Sequence, residues 1–285
     1  MVISSRCKLD YKMGYLVVRG EETRRVFLDE IALLMIESTA VSMTGYLLSE
    51  LVNKKIRVVF CDGKRNPTAE LCPYYGSHDS SRKVKQQMQW SEGIKGHIWT
   101  AIVSEKIKNQ ATVLYANGRQ TEGDKLTQYI TELEFGDATN REGHAAKVYF
   151  NALFGMDFAR RTSPDPINAA LDYGYGIILS AFNREVATNG YLTQLGLFHD
   201  NVFNQFNLSC DLMEPYRPLM DARVLLISPQ EFSPEEKHRI ISVIHDTVRI
   251  NGSEQTVLNS IKIYTKSIFD ALNSNDVSLI KFPCL

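Results

Sequence analysis

The chain has 285 residues, 44% hydrophobic and 23% charged, with 32 Lys and Arg against 33 Asp and Glu. This is an ordinary globular composition, long enough for two domains, and it excludes a disordered or strongly charged chain. The longest apolar runs, such as 31–36, are far too short to span a bilayer, and no basic stretch followed by an apolar one marks a secretion signal.

In chain order, the first part reads as strand-rich. Runs 14–19, 25–28 and 56–61 are short and β-branched or aromatic, and the last is ended by Asp62-Gly63. Between them, 44–52 has leucines and a tyrosine at helical spacing, with Thr44 as cap. The run 73–83 is polar and rich in turn formers. Beyond it the sequence reads as helical. Helices are predicted over 85–109 and 126–133, then from the cap Asn140 to Phe154 with Gly155 as stop. Pro166 opens another, through Leu171 and Ile178 to Ala187. Ser233-Pro234-Glu235-Glu236 is a strong start, with a cap, a first-position proline and a capping box. The expected fold is α+β: a small N-terminal β-domain with one helix (1–76), a linker (77–90) and a larger all-helical domain (91–285).

Five cysteines without a CxxC pattern or evident pairing predict a reducing cytoplasm. Cys284 is next to last, so it is not a prenylation box. Charge is uneven. Residues 1–90 carry 14 Lys and Arg against 10 Asp and Glu, the remainder 18 against 23. The basic clusters at 54–57, 64–65 and 82–85 read, taken alone, as solvated surface.

The chemistry-bearing residues are few. Glu142 lies in the first turn of its helix, where an acid commonly complements the helix dipole. His144 is two residues on and points away from it. His199 follows a glycine-containing apolar stretch. Asp211 and Glu214 share a face at a helix start, set by Pro215 and Pro218. Arg217 is placed to pair with either acid or to hold a phosphate, and Asp221 reads as surface. Carboxylates with one imidazole form a donor set for a hard divalent cation such as Mg²⁺ or Mn²⁺, which suits phosphate chemistry. The sequence has no GxxxxGK[ST], HExxH or GxSxG motif. Tyr173-Gly174-Tyr175-Gly176 lacks the context of a dinucleotide site and reads as close helix packing.

Four blocks then stand in order: Asn140-Arg141-Glu142-Gly143-His144, Asp165-Pro166-Ile167-Asn168, Gly196-Leu197-Phe198-His199, and Asp211-Leu212-Met213-Glu214-Pro215-Tyr216-Arg217-Pro218. With Thr44-Gly45-Tyr46-Leu47-Leu48 and Cys61-Asp62-Gly63-Lys64-Arg65-Asn66-Pro67-Thr68-Ala69, the chain resembles, over nearly its whole length, the CRISPR-associated adaptation integrase, in particular its type II branch. It lacks the Trp-Arg pair that relatives usually carry ahead of the segment matching Val2-Ile3.

The resemblance implies a metal-dependent DNA integrase and endonuclease that joins 3′-hydroxyl ends of short foreign DNA to the repeat of an array by transesterification. It implies that Glu142, His199 and Glu214 are catalytic and bind Mg²⁺ or Mn²⁺, with Asp211 as a supporting acid. Arg82, Lys83, Lys85, Arg160, Arg161 and Arg217 become candidates for DNA contact. The implied partners are double-stranded DNA (prespacer and repeat array), a second copy dimerised through the β-domain, and a small companion protein completing a heterohexamer. The type II effector nuclease and a DNA-end-binding ring protein complete the set, with no membrane. The alternatives are a stand-alone metal nuclease acting on branched DNA and a non-catalytic DNA-binding scaffold.

Overall fold

The computed structural model describes residues 1–63, 65, 67–71, 77–160 and 165–285. The chain is mixed α and β, and divides into two compact units, Met1–Ser80 and Ser81–Leu285.

The first unit holds strands β1 (Val2–Ile3), β2 (Cys7–Lys12), β3 (Tyr15–Arg19), β4 (Thr23–Phe27), β5 (Leu33–Ile36), β6 (Val41–Met43), β7 (Arg57–Cys61) and β8 (Pro67–Leu71), with one helix, α1 (Gly45–Asn53). They form two four-stranded sheets, ordered β1-β5-β7-β8 and β4-β3-β2-β6. All four residues of β5 are buried, as suits a strand paired in parallel on both sides, with β1 and β7. β2 and β3 join through Met13-Gly14, both at positive φ, the backbone a two-residue hairpin needs. The Thr44 hydroxyl accepts from the Leu47 N–H at 3.2 Å and starts α1. Leu47 and Leu51 on α1 pack with Leu9, Leu16, Leu34 and Val58 in one core.

The second unit holds α2 (Ser80–Met88), α3 (Glu92–Ala116), α4 (Gln120–Thr131), α5 (Arg141–Phe154), α6 (Pro166–Thr188), α7 (Asn207–Met213), α8 (Arg217–Ile227), α9 (Pro234–Ile241) and α10 (Val257–Ser274). It is not all-helical. Strands β9 (Thr247–Ile250), β10 (Ser253–Thr256) and β11 (Pro283–Cys284) form a small antiparallel sheet, ordered β10-β9-β11. β11 joins from beyond α10, a pairing that local pattern does not announce. The segment 77–90, read as linker, contains α2. Its polar sequence hides a structural role, since the buried Gln87 amide binds the backbone of Leu192 and Leu195. The single helix expected over 85–109 is two, because Ser91 caps α3 afresh. α4 starts earlier than expected, without a side-chain cap. Asn140 caps α5 and Gly155 ends it, and the Ser233 capping box opens α9, as expected.

α3 is the central rod. Ile94, Ile98, Trp99, Ile102, Val103, Ile107, Ala111 and Leu114 are all buried, so it is covered nearly all round. α6 meets α8 closely: a Cβ on Gly174 would lie 2.4 Å from the Met220 side chain. Of the cysteines, Cys7 and Cys61 are buried, Cys210 is half-buried and Cys284 exposed; Cys72 lies outside the described residues. Among the described residues no helix is long and apolar enough to cross a membrane.

The packing at Gly174 makes a prediction. Gly174→Ala forces the buried Met220 aside and should lower stability by about 1–3 kcal/mol, read as a fall in Tm. A variant as stable as the wild type would contradict this packing.

Candidate active site

Three stretches of the second unit converge on one ammonium. The first is α3, whose charged Lys106 stands in a row of apolar residues and is 7% exposed. The second is the start of α5. Asp137 accepts from the backbone N–H groups of Arg141 (2.7 Å) and Glu142 (3.1 Å), which fixes the first turn that carries Glu142. The third is a nearly continuous helical run, 207–227, in which a 3₁₀ turn, Glu214–Tyr216, joins α7 to α8. Pro215 and Pro218 fall at the first positions of successive turns, where their missing N–H groups cost little. Asp211 and Glu214 therefore lie at the end of α7 and in this joint, and not at a fresh helix start. Asn109, one turn on from Lys106, donates to the Pro215 carbonyl at 2.9 Å and ties α3 to the joint.

Lys106 Nζ lies 2.5 Å from Glu142 Oε1 and is also ion-paired to Glu214 Oε2. Arg217 Nε faces the other oxygen of Glu214 at 2.8 Å. Burial pulls the Lys106 pKa down, but the Glu214 and Glu142 charges together outweigh it, and the net shift is upward. Burial pushes Glu214 up, while Arg217, Lys106 and His199 pull harder, so it stands below the usual carboxylate value.

His199 is held from behind. Its Nδ1 lies 2.5 Å from Asp211 Oδ1. Asp211 is fully buried, and its carboxylate also accepts the backbone N–H groups of Leu197 (2.6 Å), Phe198 (3.1 Å) and His199 (3.2 Å). One acid thus folds the loop and fixes the ring. Gly196 is required by space, since a Cβ there would meet the His199 carbonyl at 2.2 Å. On the other side Phe198 stacks on Trp99 at 4.5 Å, and Trp99 meets His199 edge-on. The Asp211 hydrogen bond raises the His199 pKa; burial opposes it, and the Glu214 and Glu142 charges add to it. The imidazole therefore feels both carboxylates.

The donor set suits a divalent cation. Two carboxylates already share a positive charge, and the histidine has one nitrogen tied to a carboxylate, which leaves Nε2 as its available donor. Among the described residues no three ligating side chains stand close enough to hold an ion as they are. The Lys106 ammonium sits between the two acids instead.

The comparisons with known proteins agree with this architecture. The family model for "CRISPR associated protein Cas1" matches residues 1–238. The chain belongs to the Cas1 family. It is 33% identical over 289 residues to the CRISPR-associated endonuclease Cas1 of Neisseria meningitidis serogroup C (strain 8013), covering 99% of this chain and 95% of that protein. Among solved structures it resembles a casposase bound to integration product, with TM-score 0.77 and 16% identity over 96% of this chain and 91% of that one. It also resembles a chain of a Cas6-RT-Cas1–Cas2 complex, with TM-score 0.76 and 19% identity over 98% of this chain and 35% of that one.

In this Cas1 chain the basic candidates divide. Arg82 and Lys85 are exposed on α2, and Lys83 lies over the Tyr191 ring at 5.5 Å. Arg217 is ion-paired to Glu214. Arg160 is held by Asn168 (2.5 Å) and Asp172 (2.7 Å). Arg161 lies outside the described residues. His144 is exposed beside Tyr129. Asp221 is a correction: it is 1% exposed, not surface, because the Tyr175 hydroxyl, 46 residues away in sequence, donates to it. Sequence reasoning also passed over Lys106, Asn109 and Trp99. For Lys106 a signal existed, a lysine at helical spacing within an apolar face.

Burial lifts Asp221 to about 6, against the Tyr175 hydrogen bond and Arg217, which pull it down. A folded pKa above the unfolded 3.8 means the folded state keeps this proton longer, so stability falls as pH rises between those values. Asp221→Asn removes that penalty. Its stability relative to the wild type should therefore rise by about 2 kcal/mol between pH 4.5 and 7, measured by urea denaturation. A gap that is flat with pH would contradict the assignment.

Proposed function

We propose that this Cas1 chain is a metal-dependent DNA integrase and endonuclease of CRISPR adaptation. The observation that carries the reading is the shared ammonium: Glu142 and Glu214 meet at Lys106, and Asp211, on the helix that leads into the Glu214 joint, holds the His199 ring. The named relatives, an endonuclease and a casposase bound to integration product, support this class of chemistry.

Integration exchanges one phosphodiester for another when a DNA 3′-hydroxyl attacks the repeat backbone. Bond energies nearly balance, so no nucleotide-triphosphate site is needed. Glu142, His199 and Glu214 would hold Mg²⁺ or Mn²⁺, which would activate the attacking hydroxyl and offset charge developing on phosphorus. Asp211 keeps the imidazole aimed, and Asn109 keeps the Glu214 joint against α3. The protein's remaining task is placement of two DNA strands, which can supply up to roughly 7–11 kcal/mol of barrier lowering. Water in place of the hydroxyl makes the same centre a nuclease.

We assign the type II branch on Glu214, a position often aspartate in other branches. We place dimerisation in the β-unit, 1–76. Exposed Met13, Tyr15, Phe27 and Tyr46 there support that reading, with Tyr15 against Phe27 and Tyr46 against Tyr11. A small Cas2-type companion is assigned by analogy with the Cas1–Cas2 complex named above. Residues 91–285 carry the catalytic work, in the cytoplasm.

The test incubates the purified chain, with and without its companion, with a short duplex and a supercoiled plasmid carrying repeats. Metal-dependent covalent joining at the repeat boundary is expected. Glu142→Ala, His199→Ala and Glu214→Ala should each lower joining by about 100-fold or more, with DNA binding retained. Wild-type joining rates in these variants would refute the site.

A further inference from the structure

The helices that carry the two acids meet a second time. Glu142 and Tyr149 are seven residues apart on α5, and Glu214 and Asp221 are seven apart along the run into α8. Seven residues make about two helical turns, so each pair lies toward one face of its helix, about 10 Å apart along the axis. At the first level the acids share the Lys106 ammonium. At the second level the Tyr149 hydroxyl faces the Asp221 carboxylate.

Tyr175 of α6 closes on the same group, its hydroxyl donating to Asp221 Oδ1. The close approach of α6 and α8 at Gly174 and Met220 brings this about, since these are the chain neighbours of Tyr175 and Asp221. All three side chains are buried. Burial and the Asp221 charge push both phenols well above their usual value, so both remain donors. The Tyr175 ring centroid also lies 4.7 Å from the Arg217 guanidinium, whose Nε faces Glu214 at 2.8 Å. Asp221 is thus linked to Glu142 through Tyr149 and α5, and to Glu214 through Tyr175 and Arg217.

Apolar packing does not set this spacing by itself. α5 and α8 both pack on α3, but a cavity of about 210 Å³ lies among these helices and α6, with Gln110, Phe150, Tyr175 and Asp221 in its wall. Protein interiors are otherwise closely filled, so across this gap the helices are tied by polar groups. The Tyr149 hydroxyl is a second observation. It is fully buried, yet it makes no well-formed hydrogen bond among the described residues. Such a group is costly to bury, and the carboxylate it faces is what compensates it.

We infer that Asp221 is a positioning residue for the cation: by holding Tyr149 on the Glu142 helix and Tyr175 on α6, it keeps Glu142 and Glu214 at the spacing at which one cation faces both. This rests on the reading of the acid pair as a divalent-metal centre. Asp221 touches neither acid. It acts through the register of α5 against α8 and through the guanidinium that orients Glu214.

The test titrates Mn²⁺ into the full chain without DNA, by calorimetry, after a melting curve shows each variant folded. Asp221→Leu keeps the volume and removes the acceptor. Tyr175→Phe and Tyr149→Phe each remove one oxygen and keep the ring, and they carry the test if Asp221→Leu does not fold. Asp221→Asn keeps the shape and an oxygen for Tyr175. Asp221→Leu and Tyr175→Phe should bind Mn²⁺ about 10-fold more weakly than the wild type, and Asp221→Asn within about 2-fold of it. Variants with a lowered Tm and wild-type Mn²⁺ affinity would show that Asp221 supports the fold only, and would overturn the inference. So would Asp221→Asn binding as weakly as Asp221→Leu, because the charge and not the link would then be what matters. Mn²⁺ binding that is lost in Glu142→Ala but unchanged in these four variants would leave the metal centre standing and remove Asp221 from it. A wild type that binds no Mn²⁺ would sink the metal-centre reading, and this inference with it.

Discussion

Two carboxylates drawn together in a buried place repel each other, and a cation between them is what permits it. Here that cation is the ammonium of Lys106, set between Glu142 and Glu214. Without it one acid would have to take a proton or move away. The surrounding architecture serves this contact. α3 is buried nearly all round, so Lys106 reaches the acids from a rigid rod. Asp137 fixes the turn that presents Glu142, and Asn109 clasps the joint that presents Glu214. A cation seat held by a lysine suits exchange for a divalent ion, because the charge balance that holds the acids together is kept as one cation replaces the other.

The histidine side follows a different logic. Asp211 is a buried acid surrounded by donors: three backbone N–H groups and one imidazole nitrogen. A carboxylate so satisfied folds a loop as well as orienting a ring. Trp99 and Phe198 close the other face, and Gln87 pins the loop's start through the backbone of Leu192 and Leu195. Residues from α2, α3 and α7 thus converge on the placement of one imidazole.

The features legible in the sequence were those written in local chemistry. Thr44, Asn140 and Ser233 cap helices through bonds to residues two or three further on, and such bonds depend on nothing distant. The four blocks that carry the family resemblance also mark residues that the fold gathers. What stayed hidden depends on partners far along the chain. Asp221 looks like surface until Tyr175 is beside it. Lys106 looks like part of a helix until the two acids arrive. Polar α2 looks like a linker until Gln87 finds carbonyls at 192 and 195. The small sheet needs Pro283–Cys284 to return from beyond α10 and pair with Thr247–Ile250. Pro215 and Pro218 suggested a helix start because sequence alone does not show a 3₁₀ turn carrying one helix into the next.

The most direct test of the account is an anomalous-scattering map from crystals of the chain grown with Mn²⁺. The account predicts one peak between the carboxylates of Glu142 and Glu214 and the Nε2 of His199, with the Lys106 ammonium moved out of the space between the acids. A map with Lys106 still bridging both carboxylates, and the manganese elsewhere or absent, would contradict it.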